Sequence, residues 1–236
     1  RDGAKDVLDY KKLGYLPEAV VNFLATLGWN DGTEQEIFSR QELLEKFSLA
    51  RVQRSGAKFD ERRLAWMNGY YIRQMGTDRL AEVVEPFWPS SAAGKDQGHK
   101  IRVLKLVQDR LKYFSELPSL SSFFFEEPDP EQVKRLLNDP PDRQLSKAGK
   151  DTYRHLLKEA ELSLNSSDFS LSDITERLNQ LLKRLDTSPA VLFALVRIAV
   201  TGEKASPEIF GTLEVLGKDA VMARLDRAAG LLENKT

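Results

Sequence analysis

Apolar residues along this 236-residue chain recur mostly at spacings of three and four, and alternating runs of β-branched residues are rare, so the pattern predicts an all-α protein. The first clear helix follows Gly14-Tyr15-Leu16, because Pro17 suits the first helical position, where its missing N–H has no intrahelical partner. Ala19, Val20, Phe23, Leu24 and Leu27 then line one face, and Gly28 is placed to end the helix in a left-handed cap. Ser39-Arg40-Gln41-Glu42 has the spacing of a capping box, hydroxyl and carboxylate each satisfying an orphan backbone N–H, and leads into Leu43, Leu44 and Phe47. Asp60 is expected to cap a helix carrying Leu64 and Met67, and Thr77-Asp78 to start one through Leu80, Val83 and Val84 that stops near Pro86. Ser90 to Gly94 reads as a loop.

The spacing then predicts a long helix from His99 to Phe114, ending before Pro118. At about 100° per residue, Ile101, Leu104, Val107 and Leu111 form its core face, while His99, Arg102, Leu106, Arg110 and Tyr113 fall together on the opposite side. Phe123-Phe124-Phe125 reads as packing, since three adjacent helical residues cannot share a face. Trp29 and Trp66 lie in apolar patterns and are assigned to the core. Beyond the acidic, proline-punctuated connector Glu126-Glu127-Pro128-Asp129-Pro130, helices are expected around Glu131 to Leu137, Lys150 to Leu164, Ser172 to Leu185, Pro189 to Thr201, Pro207 to Leu216 and Asp219 to Leu232. No internal repeat of fixed period is present.

Composition narrows the chemistry. With 41% hydrophobic and 30% charged residues, no apolar run near the roughly 18 residues that cross a bilayer, and Arg1-Asp2-Gly3-Ala4-Lys5 unlike a signal peptide, a soluble cytoplasmic protein of one to three compact domains is expected. The absence of cysteine excludes disulfides and thiolate metal sites, and two histidines, His99 and His155, are poor material for zinc. A net charge of -1 gives no global attraction for nucleic acid, so any RNA surface must be a local patch. Arg51, Arg54, Lys58, Arg62 and Arg63 form such a cluster, with Asp60 and Glu61 among them; a solvated surface is the plain alternative. Gly149-Lys150-Asp151-Thr152 and Gly217-Lys218-Asp219 lack the spacing of a phosphate-binding loop and read as helix-boundary glycines. No nucleophile elbow, zincin helix or Cys/His pair occurs, so nothing supports a self-contained active site.

Several blocks, in order, resemble one family. Asp9-Tyr10-Lys11-Lys12-Leu13-Gly14-Tyr15-Leu16-Pro17-Glu18-Ala19-Val20-Val21-Asn22-Phe23-Leu24, Leu27-Gly28-Trp29, Glu36-Ile37-Phe38-Ser39, Lys58-Phe59-Asp60 and Leu64-Ala65-Trp66-Met67-Asn68-Gly69-Tyr70-Tyr71-Ile72-Arg73 are similar to the segment after the catalytic domain of bacterial-type glutamyl-tRNA synthetases, class I aminoacyl-tRNA synthetases. Thr201-Gly202 and Leu216-Gly217-Lys218 extend the likeness, and Arg1-Asp2-Gly3-Ala4 resembles the junction after the signature loop. The resemblance implies a helical stem-contact domain at residues 1–73 and two helical anticodon-binding domains at 74–127 and 128–236, in an elongated arrangement. It also implies that the nucleotide-binding domain lies upstream in the same parent chain, so that ATP and Mg2+ serve the parent and this part needs no cofactor and is inactive alone. The implied partner is tRNA(Glu), with no membrane and a monomeric state.

Residue by residue, the resemblance implies stem contacts from Arg51, Arg54, Lys58, Arg62 and Arg63, positioning the RNA through phosphate and ribose. Arg110, in the segment Leu106-Val107-Gln108-Asp109-Arg110 before Glu116-Leu117-Pro118, takes the place of an arginine that reads the third anticodon base and favours cytosine; Arg102 and Tyr113 would share its face. Arg197 and the loop with Ser206, Pro207 and Ile209 resemble the helix–loop–helix that encloses the first two anticodon bases. Ser206-Pro207 would also serve as cap and first residue of the following helix. A helical protein-interaction scaffold, and a synthetase that also charges tRNA(Gln), remain open alternatives.

Overall fold

The structure, a computed structural model, describes residues 6–53, 58–140 and 149–232. Helices dominate it and no strand occurs among the described residues, as the apolar spacing predicts. The chain divides into two compact units, Arg1–Ala93 with Val107–Ser119, and Gly94–Leu106 with Leu120–Thr236.

The first unit is built on α1 (Val7–Leu13), α2 (Pro17–Thr26), α3 (Arg40–Lys46), α4 (Glu61–Arg73) and α5 (Thr77–Val84). Local sequence sets their ends: Pro17 stands in the first turn of α2, Ser39 and Glu42 form the capping box of α3, and Asp60 accepts the Arg62 and Arg63 N–H groups of α4. Gly28 does not cap α2; the helix ends at Leu27 in right-handed geometry. A left-handed glycine instead closes α1: Gly14 stands at φ 80°, where a Cβ would lie 2.5 Å from that of Phe114. Tyr10, Phe23, Leu64 and Met67 make one cluster and Trp29, Phe38 and Leu43 another, each fully buried side chain contributing roughly 1.5–3 kcal/mol. Leu24 and Leu44, assigned to inward faces by spacing, are exposed, and the buried polar Asn22 stands beside Phe23 instead, donating to the Glu36 carbonyl and accepting the Phe38 N–H.

The expected helix from His99 to Phe114 is shorter. An α-helix, α6, covers Gln97–Val107; Gln108–Arg110 continues as a 3-10 turn, and Leu111 and Tyr113 are extended. The 100° phase therefore does not reach Tyr113, and His99, Arg102, Leu106, Arg110 and Tyr113 do not form one helical face. Leu104, Val107 and Leu111 are buried as expected, Val103 and Lys100, at 5% exposure, are buried with them, and Ile101 is only half-buried.

After α7 (Leu117–Ser121) the second unit continues through α8 (Pro130–Asn138), α9 (Gly149–Asn165), α10 (Leu171–Arg184), α11 (Pro189–Thr201), α12 (Ile209–Leu216) and α13 (Lys218–Leu231), within a residue or two of the expected bounds. One large core joins them, with Leu157, Ala160, Leu164, Ile174, Leu178, Leu192, Leu195, Val196 and Leu225 at its centre. Phe123 and Phe124 are buried as expected, in a 3-10 turn. The start of α12 differs from expectation. Glu208 caps it, its carboxylate accepting the Phe210 and Gly211 N–H groups, so Ser206 is not the cap and Pro207 not the first helical residue.

Candidate nucleic-acid interface

In the first unit, the buried Asn68 fixes two segments on α4. Its Oδ1 accepts the Leu16 N–H at 2.7 Å and its Nδ2 donates to the Lys112 carbonyl at 2.5 Å. Gly69, beside it, lets that chain pass closely, because a Cβ there would lie 3.2 Å from the Leu111 carbonyl oxygen. The Tyr113 ring stacks on Tyr15 with centroids 5.2 Å apart, and the Phe114 N–H donates to the Gly14 carbonyl at 3.2 Å. Burial first, then the neighbouring Tyr113 and Glu61, push the Tyr15 phenol up to about 12, so it stays neutral.

These contacts shape an open cleft of about 530 Å³, to which α4 contributes Arg62, Trp66 and Arg73 and the chain after the 3-10 turn at Gln108–Arg110 contributes Lys112, Tyr113 and Glu116. The side chains of Arg62, Arg73 and Lys112 make no hydrogen bond or ion pair among the described residues. Glu116 accepts the Lys112 backbone N–H at 2.8 Å. Trp66, expected in the core, is 48% exposed. The reason is its phase on α4: at about 100° per residue, Arg62, Trp66, Gly69 and Arg73 lie within about 60° of one another, across the helix from the buried Leu64 and Met67. That phase is legible in the sequence, although the apolar residues beside Trp66 point the other way. Arg73 and Lys112 were not singled out by sequence either.

The other cations of the basic cluster are placed variously. Lys58 is exposed. Arg51 donates to the Asp31 carbonyl at 2.8 Å. Arg63 is half-buried, donating to the Glu36 carboxylate at 3.0 Å and the Thr26 hydroxyl at 3.1 Å, with its guanidinium 5.9 Å from the Phe23 ring centroid. It braces α2 against α4. Arg54 lies outside the described residues.

Arg110 stands on the 3-10 turn after α6. The Gln108 amide donates to the Ile72 and Met75 carbonyls, each at 2.8 Å, and Leu111 is fully buried, so the turn is clamped on both sides of the arginine. The Arg110 side chain is exposed and has no hydrogen-bond or ionic partner among the described residues. Fixed backbone and unengaged donors suit it to an external acceptor.

In the second unit, Arg102 is exposed on α6, whereas His99 is half-buried, its ring edge-on to Phe125 with centroids 5.4 Å apart. α11 closes on Gly202 at φ 69°, and the Gly202 carbonyl accepts from Gln132 at 2.7 Å. The Arg197 Nε donates to the Ser206 hydroxyl oxygen at 3.0 Å, and that hydroxyl donates to the Pro207 carbonyl at 3.0 Å. Ser206, at 2% exposure, and Pro207 are buried, and Ile209, at 5%, belongs to the core of this unit. The structure thus brings Arg197, Ser206 and Pro207 together, with Ser206 holding the half-buried guanidinium.

Among the described residues no cluster of three or more His, Asp or Glu side chains is placed to hold a metal, and no helix is long and apolar enough to cross a membrane.

The family described as "Anticodon binding domain" matches residues 79–229, and that described as "tRNA synthetases class I (E and Q), catalytic domain" matches residues 1–66. A glutamate–tRNA ligase of Dehalococcoides mccartyi is 35% identical over 98% of this chain and 47% of its own length. One from Moorella thermoacetica is 34% identical over 97% of this chain and 46% of its own. This chain therefore spans about half the length of the curated relatives it matches. A solved glutamate tRNA ligase from Elizabethkingia meningosepticum shares the fold with a TM-score of 0.77 at 24% identity, over 95% of this chain and 43% of that one.

Proposed function

We propose that this chain, which belongs to the anticodon-binding domain family and is of the glutamate–tRNA ligase type, grips tRNA(Glu) and reads its anticodon while a separate catalytic part of the same protein attaches glutamate. The observation that carries the reading is that the family match, residues 79–229, contains both Arg110, free on its clamped turn, and the Arg197–Ser206 pair. A guanidinium offers donors only, so Arg110 suits the carbonyl and ring nitrogen of cytosine at the third anticodon position and is unsuited to a base presenting a donor there. Arg197, steadied by Ser206, with the Pro207 backbone beside it and Ile209 beneath the loop, would serve the first two bases; Arg102 would add a phosphate contact.

In the same reading the protein divides into a stem-contact domain at 1–73 and anticodon-binding domains at 74–127 and 128–236. Arg51, Arg54, Lys58, Arg62 and Arg63 act on phosphate and ribose without regard to sequence. ATP and Mg2+ belong to the catalytic part, and the working protein is a cytoplasmic monomer.

The test uses anticodon stem-loops that differ only in cytosine or guanine at the third position. Arg110→Gln should lose roughly 1–3 kcal/mol on the cytosine stem-loop and little on the guanine one, because an amide carries both donor and acceptor. An unchanged ratio, with helical content intact by circular dichroism, would show that Arg110 does not read this base.

A further inference from the structure

We propose that the cleft of the first unit receives an unpaired nucleotide of the bound RNA, its base stacked on the Trp66 indole and its flanking phosphates against Arg62, Arg73 and Lys112. This rests on the reading of the chain as a tRNA-binding one. The core does not need Trp66: it stands across α4 from Leu64 and Met67 and remains 48% exposed. A large aromatic left in water between two arginines on one helix face is the combination that single-stranded nucleic acid uses, a π-surface for the base within a basic groove for the backbone.

Charge selects the same occupant. Arg62, Arg73 and Lys112 have no partners among the described residues, and against the cleft's two carboxylates, Glu61 and Glu116, the three cations leave a net positive charge. Tyr15 and Tyr113 stack on each other, and the Tyr15 phenol is neutral and brings no anion towards a phosphate. The volume, about 530 Å³, falls in the range of roughly 300–1,000 Å³ common to clefts for small ligands. A paired stem presents phosphates but keeps its base faces stacked inside, leaving the indole unused; an acidic peptide would satisfy the cations and leave it bare. An unpaired nucleotide engages both.

The full chain is titrated with a tRNA(Glu) transcript while tryptophan fluorescence is followed, in the wild type, Trp66→Ala and Trp66→Phe. Because Trp66 is half-exposed, both variants should keep the wild-type melting curve. Trp66→Ala should bind roughly ten- to a hundredfold more weakly, and Trp66→Phe, which keeps a stacking face, should recover most of the affinity. The wild type should be quenched on binding, and Trp66→Phe should bind without that quenching, although Trp29 and Trp88 remain. Wild-type affinity in Trp66→Ala together with unaltered quenching in Trp66→Phe would overturn the cleft assignment and leave the tRNA-binding reading standing. No binding by any of the three would overturn both. Quenching by poly-glutamate in place of RNA would overturn the nucleotide in favour of an acidic protein partner.

Discussion

Arg224→Met should destabilise the second unit more than any exposed arginine can. Arg224 is 5% exposed, yet its donors are satisfied: Nη1 donates to the carbonyls of Phe123 at 2.9 Å and Val200 at 2.7 Å, and Nη2 to the Glu126 carbonyl at 3.0 Å and the Glu127 carboxylate at 3.3 Å. One side chain on α13 thus ties the connector after Phe123 to the end of α11. Methionine keeps an apolar stem of similar reach but leaves three carbonyls without their donor, each loss worth about 1–3 kcal/mol where water cannot enter. Removing a buried guanidinium also removes its desolvation cost, which pulls the Arg224 pKa down, and Glu127 is half-exposed and keeps Arg227 at 2.6 Å. The net loss should therefore be about 3–5 kcal/mol, as when one partner of a buried polar pair is deleted, or roughly 10 °C or more in the melting temperature of a unit this size. Calorimetry of the second unit's transition measures it, with Arg227→Met as control. That exposed ion pair should cost less than about 1 kcal/mol. Equal shifts in the two variants would refute the reasoning.

Asn68→Ala should cost the first unit about 2–4 kcal/mol, since it strands the Leu16 N–H and the Lys112 carbonyl in a buried place, and chemical denaturation followed by Tyr and Trp fluorescence would show it. A loss below about 1 kcal/mol would mean that these segments are held by other contacts. His99 is expected to make the second unit acid-sensitive. Burial, opposed by the contact with the Phe124 carbonyl, lowers its pKa below 6.5, so the unfolded chain takes up the proton first. Its contribution is complete above about pH 6.5 and lost as pH falls through the depressed value, and between about pH 7.5 and 5.5 the melting temperature should drop further in the wild type than in His99→Gln. Parallel drops would contradict it.

The sequence made visible what local rules determine. Pro17, Ser39 with Glu42, and Asp60 start helices because a side chain, or a missing N–H, settles the first turn whatever lies further away. The long helices of the second unit are legible for a similar reason, their apolar stripes being sustained over three or four turns. The helix at 99–114 failed where tertiary contacts override periodicity: Gln108 is drawn to the Ile72 and Met75 carbonyls and the Lys112 carbonyl to Asn68, and all three partners lie more than thirty residues away. Ser206 misled because a serine before a proline looks like a cap, while its hydroxyl answers to Arg197. Of the candidate site, Arg110, Arg197 and Arg62 are legible from resemblance and charge. The apolar neighbours of Trp66 point to the core, whereas its phase on α4 turns it outward. Arg73 and Lys112 gain meaning only once Gly69 lets residues 111–112 pass across α4.

The central claim is that this chain binds tRNA and recognises its anticodon. Fluorescence anisotropy with a labelled tRNA(Glu) transcript, repeated on a transcript identical but for its three anticodon bases, tests it most directly. The account predicts saturable binding that weakens steeply with added salt, as phosphate contacts require, and a loss of roughly tenfold or more when the anticodon is replaced. Equal affinity for the two transcripts would contradict anticodon reading, and the absence of saturable binding to either would contradict the account as a whole.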